Sequence, residues 1–283
     1  MLVIHSIQEL QARLAEYRQA GRSIGLVPTM GNLHQGHLQL VITAQQHADV
    51  VMVSLFVNPT QFGANEDLDS YPRTFQDDVN KLEALDTDIL FAPTVDEIYP
   101  LGGDNTSHVH VPDITTVLCG ASRPGHFDGV TTVVNKLFNI SRADTAVFGE
   151  KDWQQLAVIR RMVIDLNMPI NIVGEPIVRE ADGLAMSSRN GYLSAEQRQL
   201  APALNRCLQD METALMSGNR EFDSLKEAAI TTLNAQGFQV DYLDILDPLT
   251  LTESTVDDPA FIILVAAFVG DTRLIDNLHI QLS

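Results

Sequence analysis

The 283-residue chain carries 18 basic against 37 acidic side chains, a formal charge of −19, and 45% of its residues are hydrophobic. That acidity opposes a phosphate backbone at long range, which leaves nucleic acid out of the expected partners, while the apolar content suffices for one large and one small domain. Cys119 and Cys207 are read as reduced, the apolar run 2–4 is too short for a signal peptide, and the longest apolar run, 260–269, falls far below the roughly 18 residues of a membrane helix, so a cytoplasmic protein is expected.

Along the chain, Ser6 and Glu9 have capping-box spacing, and Ile7, Leu10 and Leu14 mark the buried stripe of a helix ending near Gly21. A strand over 24–28 leads through PTMGNLHQGH (28–37) into a helical pattern over 38–48. The apolar run 50–57 suits a strand buried on both faces of a parallel sheet. Residues 77–85 read as helix, 88–92 as strand, 130–140 as helix, 145–148 as strand, 154–166 as helix and 170–173 as strand, with a polar loop over 63–72. Alternating strands and helices predict a doubly wound α/β domain whose ligands sit at the carboxyl ends of the strands. The chemistry-bearing stretches 28–37, 58–62 and 149–152 each follow a predicted strand, which places them on one edge of the sheet.

Near residue 177 the pattern changes. A short strand, 177–179, precedes a turn at Asp182-Gly183. Ser194 and Gln197 form a second capping box, a helix runs to about Met216 with Pro202 kinking or restarting it, and 222–235 is helical. Strands over 239–246, 261–269 and 273–280 complete a small α+β domain. The expected division is residues 1–176 and 177–283, the second serving as a lid that carries the loop MSSRN (186–190).

In the stretch 28–37, Gly31 and Gly36 admit close backbone approach, and the open amides of a helix start favour an anion. His34 and His37, three apart, suit the same anion; surface histidines and paired metal ligands are the alternatives. Ser187, Ser188 and Arg189 in MSSRN, and Lys151 in GEKD (149–152), supply hydroxyls and cations for phosphate oxygens. Lys151, Arg123 and Arg189 are expected to form a local positive pocket on an acidic body.

These three motifs together resemble the nucleotidylyltransferase superfamily with its His-x-Gly-His signature. FVNPTQF (56–62), RPGHFDGV (123–130), GEKDWQQ (149–155) and TRLIDN (272–277) resemble the block pattern of the pantothenate synthetase family, nearly from end to end. The resemblance implies a Rossmann-like fold and an ATP-dependent ligation of pantoate and β-alanine through a pantoyl adenylate, releasing AMP and pyrophosphate. It implies that His34, His37, Lys151, Ser187, Ser188 and Arg189 face the phosphates, with His37 as proton donor. Met30, Gly31, Gly149, Asp152, Val178 and Met186 match positions around the nucleotide. Gln61 and Gln155 match those that hold pantoate, and Asn58 with Gln61 those that receive β-alanine. Phe56, Val133, Val134 and Phe148 match an apolar wall. Asn32 and Asp271 depart from the pattern at positions that carry no charge role.

ATP is thus the expected co-substrate, with Mg²⁺ held mainly by its phosphates and Asp77 and Asp78 as further candidates. A homodimer is expected from the resemblance alone. Rival readings are a nucleotidylyltransferase with a dinucleotide product, a non-catalytic nucleotide sensor, and a metal-dependent hydrolase built on His34 and His37.

Overall fold

The computed structural model describes residues 1–63 and 66–282. The chain divides into two compact units, Met1–Glu150 with Val158–Pro176, and Lys151–Ala157 with Ile177–Ser283. The second thus includes the segment 151–157, which follows a strand of the first.

The first unit is built on strands β1 (Leu2–Ile4), β2 (Ile24–Thr29), β3 (Val50–Leu55), β4 (Ile89–Phe91), β5 (Thr145–Gly149) and β6 (Asn171–Glu175). They form one sheet in the order β1-β4-β3-β2-β5-β6, every pair parallel. Parallel strands covered on both faces need nearly continuous apolar runs. Accordingly Val50, Val51, Met52 and Val53 of β3, and Ala146 and Val147 of β5, are at most 1% exposed. The same unit contains helices α1 (Ile7–Gln19), α2 (Gln35–His47), α3 (Phe75–Glu83), α4 (Val95–Ile98), α5 (Cys119–Ser122) and α6 (His126–Ser141). One core joins Leu40, Val41 and Ala44 of α2 and Val79 and Leu82 of α3 to Val27, Val53, Leu90 and Val147 of the strands. Strand order reverses beside β2, which has β3 on one side and β5 on the other, and such a switch point opens a crevice at the carboxyl ends.

The chain after β5 enters α7 (Trp153–Asp165), whose first turn belongs to the second unit. That unit contains α8 (Ala195–Leu200), α9 (Ala203–Met216), α10 (Phe222–Ala235) and the antiparallel sheet β7 (Gln239–Leu246), β8 (Ala260–Val269) and β9 (Thr272–Gln281). Leu204, Leu208, Met211 and Leu215 of α9 share a core with Leu233 of α10 and Phe261, Ile263 and Val265 of β8. Ser194 and Gln197 complete both halves of a capping box, and Pro202 separates α8 from α9, as the missing amide of proline requires.

The expected alternation of strands and helices is present, and three differences stand out. β1 pairs with β4 at the sheet edge although the run 2–4 had been read only as too short for a signal. α6 begins at His126 rather than near 130, after Gly125 turns left-handed at φ 81. The strand expected over 177–179 is a single antiparallel bridge between Arg179 and Ala185, because the turn at Gly183, φ 92, folds the chain straight back. The loop expected over 63–72 includes residues 64 and 65, which lie outside the described residues.

Candidate active site

In the first unit the loop after β2 presents both histidines. His34 caps α2: its Nδ1 accepts the Gly36 amide at 3.1 Å, and His37 Nδ1 accepts the His34 amide at 3.3 Å. A backbone amide only donates, so each Nδ1 is an acceptor and each neutral ring carries its proton on Nε2. The rings lie 4.1 Å apart between centroids. Two Nε2–H donors at a helix start are of the kind that suits phosphoryl oxygens.

The loop itself holds an uncommon conformation. Gly31 has φ 84 and Asn32 φ 50, successive left-handed residues that glycine and asparagine tolerate best. Asp78 accounts for them. Its carboxylate is fully buried, accepts the Asn32 and Leu33 amides at 2.8 and 2.7 Å, and receives the Thr74 hydroxyl at 3.2 Å. One turn on, Lys81 Nζ donates to the Leu33 carbonyl at 2.7 Å. Helix α3 therefore clamps this loop by both an acceptor and a donor.

The loop after β3 carries Gln61 on a 3-10 turn, Pro59–Gln61. Asn58, 1% exposed, accepts from Thr60 Oγ1 and from the Tyr99 hydroxyl, each at 2.9 Å, and donates Nδ2 to Gly129 O at 3.2 Å and to Gln61 Oε1 at 3.1 Å. With its oxygen engaged, the Gln61 amide offers its nitrogen, which lies 3.2 Å from Met30 Sδ. Asn58, matched in the sequence to β-alanine, is buried here with Thr60, Tyr99, Gly129 and Gln61 as its partners, and its bond to Gln61 Oε1 fixes which way that amide faces. Arg123 departs from expectation too. It forms a bidentate pair with Glu66, Nε–Oε1 2.6 Å and Nη2–Oε2 2.5 Å, so its charge is met by a carboxylate and adds little to a positive pocket. Burial pushes the Glu66 carboxyl up, but the Arg123 hydrogen bonds and charge and the Gly63 amide hold it below the usual range.

The second unit positions the other candidates. Asn277 Nδ2 donates to the Lys151 carbonyl at 2.9 Å, and Trp153 Nε1 donates to Pro248 O at 2.9 Å while its ring stacks on His279. Val178 and Met186 are joined by the Met186 amide to the Val178 carbonyl at 3.0 Å. Arg179 braces that turn, pairing with the buried Asp276 at 2.7 and 2.9 Å. Ser187 caps the 3-10 turn Ser188–Tyr192, its hydroxyl accepting the Arg189 amide at 3.2 Å, and Asn190 Nδ2 donates to Ala185 O at 3.1 Å. The block TRLIDN thus holds Lys151 and the turn before MSSRN in place.

The family model for pantoate-beta-alanine ligase matches residues 2–279. The chain is 55% identical to the pantothenate synthetase of Pseudomonas fluorescens (strain Pf0-1) over all of this chain and 99% of the relative. It is 56% identical to that of Pseudomonas putida (strain W619), over all of this chain and 98% of the relative. This chain belongs to the pantoate–β-alanine ligase family. Its fold is similar to that of the Thermus thermophilus pantothenate synthetase, TM-score 0.92 at 44% identity, covering 98% of this chain and 99% of that one. It is also similar to the Francisella tularensis pantoate-beta-alanine ligase complexed with βγ ATP and β-alanine, TM-score 0.83 at 34% identity, covering 98% and 97%.

Other expected site residues of this ligase fall as follows. Phe56, Val133, Val134 and Phe148 are all buried, at 4–6% exposure. Gly149 ends β5, Lys151 and Gln155 are half-buried, and Asp152 is exposed. Asp77 is exposed on α3, whereas Asp78 has both oxygens committed to the His-bearing loop, a donor arrangement that does not suit Mg²⁺. Among the described residues no group of three His, Cys, Asp or Glu side chains could hold a metal, and no helix is long and apolar enough to cross a membrane. Nothing in the sequence assigns a role to Lys81, Glu66, His126 or Asp276. His126 and Asp276 carry a signal only as members of the blocks RPGHFDGV and TRLIDN, which have no obvious reaction to perform, whereas Glu66 and Lys81 lie outside every block and carry none.

Proposed function

We propose that this ligase joins pantoate to β-alanine in two steps, with the residue roles that follow. A pantoate carboxylate oxygen attacks the α-phosphorus of ATP; the bond to the bridging oxygen breaks and pyrophosphate leaves. The β-alanine amine then attacks the acyl carbon of the pantoyl adenylate, the carbon–oxygen bond to AMP breaks, and the amine proton is lost. His34 and His37 donate Nε2–H to phosphoryl oxygens, Lys151 and Arg189 supply positive charge, and Ser187 and Ser188 supply hydroxyls. Met30, Gly31, Gly149, Asp152, Val178 and Met186 contact the nucleotide. Gln61 and Gln155 hold pantoate beside a wall of Phe56, Val133, Val134 and Phe148, and the second unit closes over bound nucleotide as a lid. Such catalysis is mostly positioning and stabilisation of developing charge.

The observation that carries this reading is the 3.2 Å approach of Gln61 Nε2 to Met30 Sδ. An amide suited to a carboxylate stands against the nucleotide loop itself, as attack on the α-phosphorus demands. A neutral amide also orients the carboxylate without quenching its charge. Mg²⁺ enters as MgATP, held by phosphates rather than by a protein cage. The same reading makes the enzyme a cytoplasmic homodimer.

Exchange of labelled pyrophosphate into ATP tests the sequence of steps. With MgATP and pantoate but no β-alanine, exchange is expected; without pantoate, none. Absence of exchange, together with absence of the mixed anhydride in rapid quench while ligation proceeds, overturns the two-step route.

A further inference from the structure

Gln61 is gripped at its backbone as well as at its side chain. The Gln61 carbonyl oxygen lies 2.8 Å from His126 Nδ1 and 3.4 Å from Arg123 Nη2. Arg123 Nη1 lies 3.1 Å from His126 Nε2. A carbonyl only accepts and a guanidinium only donates, so these contacts admit one arrangement, with the His126 proton on Nδ1 and the lone pair on Nε2. This is the opposite tautomer from that of His34 and His37. Arg123 is itself fixed by its bidentate pair with Glu66, the two side chains being 22% and 24% exposed. The first turn of α6 closes on the same segment, since Gly129 leaves no space between the helix and the Thr60 carbonyl.

We propose that Arg123 and His126 are positioning residues for the acid-binding step: through the Nδ1–H tautomer of His126 they hold the Gln61 carbonyl, and so aim the Gln61 amide nitrogen at pantoate. The role rests on the assignment of Gln61 to pantoate made above. Neither residue touches substrate in this scheme. The chain Glu66–Arg123–His126–Gln61 passes rigidity from a bidentate ion pair to the end of a short 3-10 turn whose start is capped by Asn58 and packed against Gly129. A displacement of that turn by a fraction of an ångström spoils a near-attack geometry without disturbing the nucleotide loop.

Steady-state kinetics of the full-length enzyme tests this with a paired substitution. His126→Asn keeps an N–H donor at the place of Nδ1, whereas His126→Gln moves it to the place of Nε2. His126→Gln and Arg123→Ala are expected to raise the KM for pantoate about tenfold, the worth of one such hydrogen bond, with the KM for ATP unchanged. His126→Asn is expected to restore the pantoate KM to within about twofold of wild type. Equal behaviour of His126→Asn and His126→Gln, or parallel changes in both KM values, overturns the clamp. Gln61→Ala is the benchmark: if it leaves the pantoate KM at the wild-type value, the substrate assignment fails and this role with it. An independent reading comes from the ¹⁵N spectrum of histidine-labelled wild-type enzyme, with the His126 signal assigned by its loss in His126→Asn. A protonated Nδ1 and bare Nε2 are expected; the reverse overturns the clamp whatever the variants do.

Discussion

The buried Asp78 carboxylate accepts the Leu33 amide at 2.7 Å, and this bond ties the start of α3 to the loop that delivers His34. Because the same carboxylate takes the Asn32 amide, its removal strips the acceptor from two backbone donors at once. Asp78→Ala is therefore expected to lower unfolding stability by about 2–5 kcal/mol, measured by denaturant titration. Asp78→Asn, which keeps one acceptor oxygen, should fall between. Neither change should shift the Mg²⁺ concentration that gives half-maximal rate. A variant of wild-type stability with a shifted Mg²⁺ requirement would return Asp78 to the metal.

His37 offers a test at atomic resolution of which ring nitrogen matters. Its Nδ1 is occupied by the His34 amide, so the donor that the proposed role requires is Nε2–H. His37→Gln places an amide N–H near Nε2, whereas His37→Asn reaches only the Nδ1 place, where its Oδ1 accepts the His34 amide and no donor is left at Nε2. His37→Asn and His37→Ala are expected to lower kcat roughly 10²–10³-fold, the usual loss for one transition-state donor, with the KM for ATP changed little. His37→Gln should retain more of the rate. Lys151→Ala should resemble His37→Ala; a normal kcat in either would remove that residue from its role.

What could be read from the sequence, and what could not, divides along contact range. α10 and β7 match their expected spans, 222–235 and 239–246, because an amphipathic period and an apolar run are local signals. β1 has no local signal because three residues at an edge gain their pairing from β4, 87 positions away in sequence, as the register of Leu2 with Ile89 requires. The chemistry-bearing stretches were legible since helix starts and strand ends are written in glycines, caps and apolar runs. Their supports were not. Asp78 to Leu33, His126 to Gln61 and Asn277 to Lys151 are contacts of 45, 65 and 126 residues' separation. Read locally, Asp78 is one of two acids on a helix and Arg123 is a spare cation. Only the fold shows the first pinning a left-handed loop and the second neutralised by Glu66.

The Glu66–Arg123 pair should leave a mark on the acid limb of stability. Burial alone raises the Glu66 carboxyl, but Arg123 and the Gly63 amide outweigh it, so the folded value is below the unfolded one. Its contribution is therefore full above the ordinary glutamate value of about 4.3 and is lost as pH falls through the lower folded value. Glu66→Gln lacks that titration. Denaturant midpoints measured from neutral to acid pH should show wild type ahead of Glu66→Gln near pH 7, with the gap closing in acid. A gap that is constant with pH would mean that Glu66 is not held by Arg123 in solution.

Gly129 supplies the sharpest steric test. A Cβ there would lie 2.4 Å from the Thr60 carbonyl oxygen, 2.6 Å from its carbon and 2.7 Å from Gln61 Cα. All three are backbone atoms, so no side chain can swing aside and the 3-10 turn itself must move. In an unobstructed helix the replacement of glycine by alanine favours folding by about 1 kcal/mol, so propensity and packing pull in opposite directions here. Separations this short decide for packing. Gly129→Ala is expected to destabilise the protein by about 1–3 kcal/mol and to raise the KM for pantoate, with that for ATP nearly unchanged. Gly191→Ala is the stability control, because nothing lies within 4 Å of its added Cβ. Thermal unfolding and a pantoate titration of Gly129→Ala measure the two effects separately. If the variant is destabilised yet its pantoate KM is normal, the Gln61 turn moves without consequence for the acid, and Gln155 must bear the pantoate alone.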